Sequence, residues 1–224
     1  MYYFDKFIKS VTDSLFPVRC AMCKRDEFLL CPNCEKLLKT NSNTLPDKTY
    51  AKYSYKDLTT KNILFKLKYK HHKNLSEVMG KYSSDFVKEN IINKYNLQNK
   101  NYILVPIPLS SRRLKERGYN QAELISCGID RERTLNILTR YKDTHRLKDA
   151  KNIDERHLEL ANSFDINKEE LYEYLNKNNT DLNNLYVILI DDITTTGATF
   201  YKCKNLLQGH GFDDNKIFCF ALAH

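Results

Sequence analysis

The chain has 224 residues and a formal net charge of +8, which leaves room for one ordinary domain and a small appendage. It contains no run of about 18 apolar residues that could span a bilayer. Met1-Tyr2-Tyr3-Phe4-Asp5-Lys6 lacks the basic lead into an apolar core that marks a secretory signal, so membrane insertion is not expected and a cytoplasmic setting is the default. The basic balance favours phosphate-bearing partners without identifying one, and a composition rich in lysine and asparagine produces it without any partner.

In chain order, Phe4, Phe7, Ile8, Val11 and Leu15 share one helical face, which predicts a short amphipathic helix over 3–16, stopped by Pro17. Cys20, Cys23, Cys31 and Cys34 follow as C-x2-C-x7-C-x2-C. Two C-x-x-C turns can each offer two thiolates to a tetrahedral Zn²⁺ at about 2.3 Å per bond, with disulfides or an iron–sulfur cluster as alternatives. Four thiolates leave no open position, so such a zinc is structural and supplies the folding energy of a small unit. A zinc deaminase is excluded, because its His-x-Glu precedes Pro-Cys-x-x-Cys, whereas His157-Leu158-Glu159 comes far downstream. Cys127, Cys203 and Cys219 lie in apolar surroundings and read as small core residues.

Thr40 to Lys48 is the clearest linker, and it separates a unit over residues 1–45 from one over 46–224. Tyr50 to Tyr55 alternates as a strand, and two helical patterns follow over Asp57–Tyr69 and Leu75–Asn90. Between them, Lys66 to Lys73 is a basic run that reads either as a nucleic-acid contact or as a solvated helix end. Tyr102-Ile103-Leu104-Val105 is a buried strand that ends in Pro106-Ile107-Pro108. Four cations, Arg112, Arg113, Lys115 and Arg117, then crowd ahead of Gly118, and a helix resumes at Asn120. Arginines bind phosphate through paired hydrogen bonds, so a cluster after a strand end suits pyrophosphate or nucleic-acid phosphate; the alternative is a mobile basic loop. Leu135 to Thr139 is a candidate strand. Asp165 to Asn184 is a polar excursion with Leu171, Tyr172 and Leu175 at helical spacing, and Ile217 to Leu222 is a closing strand.

Val187-Ile188-Leu189-Ile190 reads as a buried parallel strand that carries Asp191 and Asp192 at its C-terminal end, where open α/β sheets hold ligands. Thr194-Thr195-Thr196-Gly197-Ala198-Thr199 then turns into a helix faced by Phe200, Cys203, Leu206 and Leu207. Helix-start amides and threonine hydroxyls suit a phosphate, and the carboxylates accept from sugar hydroxyls. A haloacid-dehalogenase motif needs Asp-x-Asp, and no Walker A loop precedes Gly80-Lys81. The bland alternative is a strand–helix turn with a solvated acidic pair.

This segment resembles the phosphoribosyl pyrophosphate (PRPP) signature of type I phosphoribosyltransferases. That resemblance gives Asp191 and Asp192 the ribose hydroxyls and the catalytic position. It gives Thr194, Thr195, Thr196, Gly197 and Thr199 the 5-phosphate, with Mg²⁺ bound alongside PRPP. Together with Phe16-Pro17 before the cysteines, Val105-Pro106-Ile107-Pro108-Leu109, Arg112-Arg113-Leu114 and Glu116-Arg117-Gly118-Tyr119-Asn120-Gln121, the chain resembles the ComF family, competence-associated proteins that join a zinc finger to a phosphoribosyltransferase-like domain. Glu155, Arg156 and Phe164 match the family's segment before the PRPP strand, whereas Lys148, Glu159 and Asn162 depart from it.

The resemblance implies an α/β fold with a type I phosphoribosyltransferase-like core, a mostly parallel sheet flanked by helices, and an N-terminal zinc ribbon or knuckle. It also implies a part in DNA uptake during natural transformation, with single-stranded DNA and competence or DNA-processing proteins as partners. Three readings stand: a PRPP- and Mg²⁺-binding competence protein that handles single strands, an active phosphoribosyltransferase with an unknown acceptor, and a scaffold whose sugar site is vestigial.

Overall fold

The computed structural model describes residues 18–43, 45–69, 72–140 and 163–224. The helix expected over 3–16 and the family segment carrying Lys148, Glu155, Arg156, Glu159 and Asn162 lie outside the described residues. Four parallel strands form the central sheet in the order β1–β6–β5–β2: β1 (Thr49–Tyr53), β2 (Asn101–Pro106), β5 (Leu185–Ile193) and β6 (Ile217–Ala223). A two-stranded antiparallel ribbon, β3 (Leu138–Arg140) with β4 (Phe164–Ile166), stands apart from it. The helices are α1 (Pro32–Glu35), α2 (Leu58–Lys66), α3 (Lys73–Val87), α4 (Ser111–Arg117), α5 (Gln121–Asp130), α6 (Lys168–Lys177) and α7 (Ala198–Gly209).

Successive residues of a strand face opposite sides, so a strand buried on both faces reads as an unbroken apolar run. Leu104, Ile188, Ile190, Phe218 and Phe220 face α2, α3, α5 and the four-cysteine unit. Ile103, Val105, Val187, Leu189, Ile217 and Cys219 face α6, α7 and the β3–β4 ribbon. On the first face α3 and α5 cross closely: a Cβ on Gly80 would lie 2.1 Å from the Ile125 carbonyl oxygen, and one on Gly128 2.1 Å from that of Glu77. Both positions therefore need glycine for packing.

Several local readings shift. The helix predicted over Asp57–Tyr69 starts after Asp57, whose carboxylate caps the Thr60 amide at 2.7 Å, and ends at Lys66. The second helix ends at Val87 and continues as a π-helical turn over Lys88–Asn93. The strand predicted over 135–139 divides: the Leu135 amide donates to the Leu104 carbonyl at 2.9 Å, beside β2, whereas Leu138 to Arg140 pair with β4. The expected linker is no free tether, because Thr40 bridges Tyr53 and the Asn41 amide donates to Lys52 at 2.8 Å.

Candidate functional site

β5 lies between β6 and β2, and its C-terminal end carries Asp191 and Asp192. Both line a basin of about 320 Å³ together with Thr195, Thr199, Arg113, Arg117, Arg140, Lys68 and Tyr55. Asp191 Oδ1 accepts the Asp192 amide at 2.8 Å. Burial, then the neighbouring Asp192 charge, push the Asp191 carboxyl well above its ordinary range, while the Asp192 amide and Arg140 pull the other way. A cation at this doublet would offset the Asp192 charge, and carboxylate oxygens are the donor type that Mg²⁺ favours.

The turn after β5 meets α7 at Gly197, whose φ of 72° lies in the left-handed region and whose missing Cβ faces open space. Thr194, Thr195, Thr196, Gly197 and Thr199 converge, with Asp191, on a cavity of about 60 Å³. Thr196 Oγ1 sits 3.4 Å from the Ala198 amide, and among the described residues no side chain caps the Thr195, Thr196 or Gly197 amides. A helix start whose first amide is answered only by the long Thr196 contact, beside hydroxyls, suits an oxyanion. Thr194 is pinned by its amide to the Ala223 carbonyl at 3.0 Å, which fixes the turn against β6.

The cation cluster is a helix. Ser110 caps α4 through the Arg113 amide at 3.4 Å, and Gly118, with φ 77°, closes it. Arg113 and Arg117, four residues apart on one face, reach the basin. Arg112 and Lys115 do not line it, and Arg112 Nε lies 3.9 Å from Glu116 Oε1.

The residues after Gly118 fasten the rim. The Tyr119 hydroxyl lies 2.6 Å from the Leu67 carbonyl and 2.9 Å from that of Tyr69, which holds the turn bearing Lys68. Asn120 Nδ2 donates to the Ile107 carbonyl at 3.0 Å, and its Oδ1 accepts the Ala122 amide at the start of α5. Of the basic run, Lys68 lines the basin, Lys66 donates to the Ala21 carbonyl, and residues 70 and 71 fall outside the described residues. Sequence reasoning passed over Tyr55 and Arg140. No local signal marks either as a site residue, since separate strands bring them in.

At the other end, the sulfurs of Cys20, Cys23, Cys31 and Cys34 lie within 4.8 Å of one another, a set that could hold a metal ion. Burial opposes a charged Cys20, but the amides of Cys31, Cys23 and Met22 outweigh it and bring the thiol down to about 6. Burial and the surrounding sulfurs push Cys34 up to about 12. The Cys34 amide lowers the Cys31 thiol as well, and four converging sulfurs with two thiols acidified match the chemistry of a thiolate-bound metal.

The unit is tied to the sheet. Glu35 Oε1 accepts from Lys52 Nζ at 2.9 Å and from the Tyr53 hydroxyl at 2.7 Å, and the Tyr82 hydroxyl donates to the Leu30 carbonyl at 2.8 Å.

No protein-family profile matches the chain. It is 29% identical over 195 residues to competence protein ComFC of Bacillus subtilis (strain 168), covering 86% of this chain and 72% of that protein. It is 31% identical over 194 residues to competence protein ComFC of Streptococcus pneumoniae (strain ATCC BAA-255 / R6), covering 84% and 78%. Competence protein F of Haemophilus influenzae matches at 31% over 125 residues, 54% of this chain and 50% of that one. With such identity across most of both sequences, the chain belongs to the ComF family.

Proposed function

We propose that this chain is a competence protein that binds PRPP with Mg²⁺ and handles single-stranded DNA. The observation that carries the reading is the convergence of a carboxylate doublet, a threonine turn at a helix start and a cationic wall of Arg113, Arg117, Lys68 and Arg140 around adjoining cavities. A sugar with a phosphate at one end and a pyrophosphate at the other needs those three chemistries in that adjacency. Asp191 and Asp192 would accept from the ribose hydroxyls, the turn would bind the 5-phosphate, and the cationic wall would face the pyrophosphate. Mg²⁺, when bound, supplies positive charge to the pyrophosphate oxygens. Zn²⁺ on the four cysteines would be structural, since no coordination position stays open.

The competence role rests on the relatives' names, and single-stranded DNA on the outward charge of Arg112 and Lys115 together with the family resemblance. Calorimetry with PRPP and Mg²⁺, repeated with single-stranded DNA present, tests the reading. Tight, Mg²⁺-dependent PRPP binding, abolished by Asp191→Ala with Asp192→Ala, is expected. DNA affinity should fall steeply with salt. PRPP binding that ignores the double substitution would sink the sugar assignment, and salt-insensitive DNA binding the strand assignment.

A second reading, phosphoribosyl transfer, is favoured by one observation: a crevice of about 340 Å³ shares Thr195 with the basin and offers room for an acceptor. In that reaction the C1–oxygen bond to pyrophosphate breaks, pyrophosphate leaves with the electron pair, and a bond to the acceptor forms as the acceptor's proton passes to solvent. Pyrophosphate release across an acceptor panel discriminates the two readings.

A further inference from the structure

The crevice that shares Thr195 with the basin runs between the threonine turn, the start of α7 and the loop entering β1. Leu45, Pro46 and Phe200 give it apolar walls, and Tyr201 stands beside them. Its polar groups include Lys204 and His224. Lys204 is 8% exposed, yet its ammonium makes one hydrogen bond, at 2.8 Å, to the Asp47 backbone carbonyl. Among the described residues no carboxylate pairs with it. Its remaining N–H groups find no acceptor among the described residues and are left to the crevice.

The surroundings hold that charge in place. Asp47 and Lys48 both have left-handed φ, 53° and 54°, a backbone that non-glycine residues seldom adopt. Lys204 fastens Asp47 by its carbonyl, and Lys48 Nζ fastens the same loop to the Asn215 carbonyl at 2.8 Å. His224 Nδ1 lies 3.2 Å from the Thr194 carbonyl; as donor there it leaves Nε2 as an acceptor.

We propose that this crevice binds a compact planar acid, a carboxylate carried on an aromatic or heteroaromatic ring. One ammonium lining the crevice matches one negative charge, whereas a phosphate dianion would be left under-compensated. Proline, phenylalanine and tyrosine side chains favour a flat ring, and the volume suits a small ligand. The binding stands independently of the sugar-phosphate reading; only a role for the acid as acceptor rests on it.

Ligand-observed NMR on the full chain without PRPP tests the proposal, with benzoate and nicotinate as probes and benzamide and nicotinamide as their uncharged partners. The acids should bind at least about tenfold more tightly than the amides, the ordinary worth of a charge-assisted hydrogen bond. Lys204→Met should erase that preference. Arg113→Ala with Arg117→Ala, and Asp191→Asn with Asp192→Asn, should leave it intact, so a failed sugar reading would not disturb it. Equal affinity for acid and amide overturns the proposal, as does no binding of either acid. Loss of the preference in the double arginine variant would place the acid in the basin, and also overturns it. Should Lys204→Met not fold, the acid–amide contrast on the unaltered chain decides.

Discussion

The four-cysteine unit and the rim of the sheet both gather buried or half-buried charge, and they settle it in opposite ways. In the unit, Glu35 is answered from within the protein by Lys52 and the Tyr53 hydroxyl, each partner largely shielded from water. At the rim, the Asp191 carboxyl accepts the Asp192 amide but faces the Asp192 charge, and the surrounding cations line a basin of about 320 Å³. Where the protein satisfies its own charges, the contact holds structure together. Where charged groups line a cavity instead, a ligand is the proposed complement.

The contrast predicts that damage to the cysteine unit shows as lost stability, and damage to the rim as lost binding. The largest effect is expected from Cys20→Ser or Cys34→Ser. Elemental analysis should find about one zinc per chain in the unaltered protein and little in either variant, and stability should fall by several kcal/mol because metal binding is folding energy in so small a unit. Its buried residues join the core over one sheet face, so thermal melting should drop for the whole molecule rather than for a separate step.

Next comes Gly80→Ala. The added methyl meets backbone at α5 and should cost about 3 kcal/mol, read by chemical denaturation. α3 also carries Tyr82, so this lesion falls on the side tied to the cysteines. Equal loss from an alanine at the open position Gly209 would break the packing argument.

At the rim the expectation reverses. Arg113→Ala with Arg117→Ala should weaken PRPP binding by about tenfold or more, while Arg112→Ala with Lys115→Ala changes it less than about twofold. Neither pair should lower the melting temperature appreciably, and calorimetry beside a thermal scan separates the two effects.

The smallest effect concerns pH. Asp191 has a folded-state pKa raised above its unfolded value, so the folded protein holds the proton more tightly. Its contribution to stability is therefore most favourable at low pH and is lost as pH rises from the ordinary aspartate value of 3.8 through the raised one. Asp191→Asn should remove that component: relative to the unaltered chain, its melting temperature should gain as pH rises across this window. Parallel pH profiles for the two proteins would contradict the raised carboxyl.

How much of this was legible in the sequence depended on how local each feature is. The carboxylate doublet, the threonine turn and the four cysteines are contiguous or closely spaced, so their chemistry can be read along the chain. The cations between residues 112 and 117 could be read as a cluster but were not sorted, because α4 went unrecognised. Its marks were present, with Ser110 as cap, Gly118 as stop and Arg113 and Arg117 one turn apart. Arg140 and Tyr55 reach the basin only through strand pairing across distant segments, and no spacing rule encodes that. Tyr119 and Asn120 were read as family marks. Folding shows them as clamps, because the carbonyls they hold belong to turns more than ten residues away.

β5 has one further consequence. A strand with hydrogen-bonded neighbours on both flanks is held in place, so the Asp191 carboxyl and its bond to the Asp192 amide sit at a fixed point of the sheet's rim. A ligand arriving there would meet an edge already built rather than one that must first be assembled.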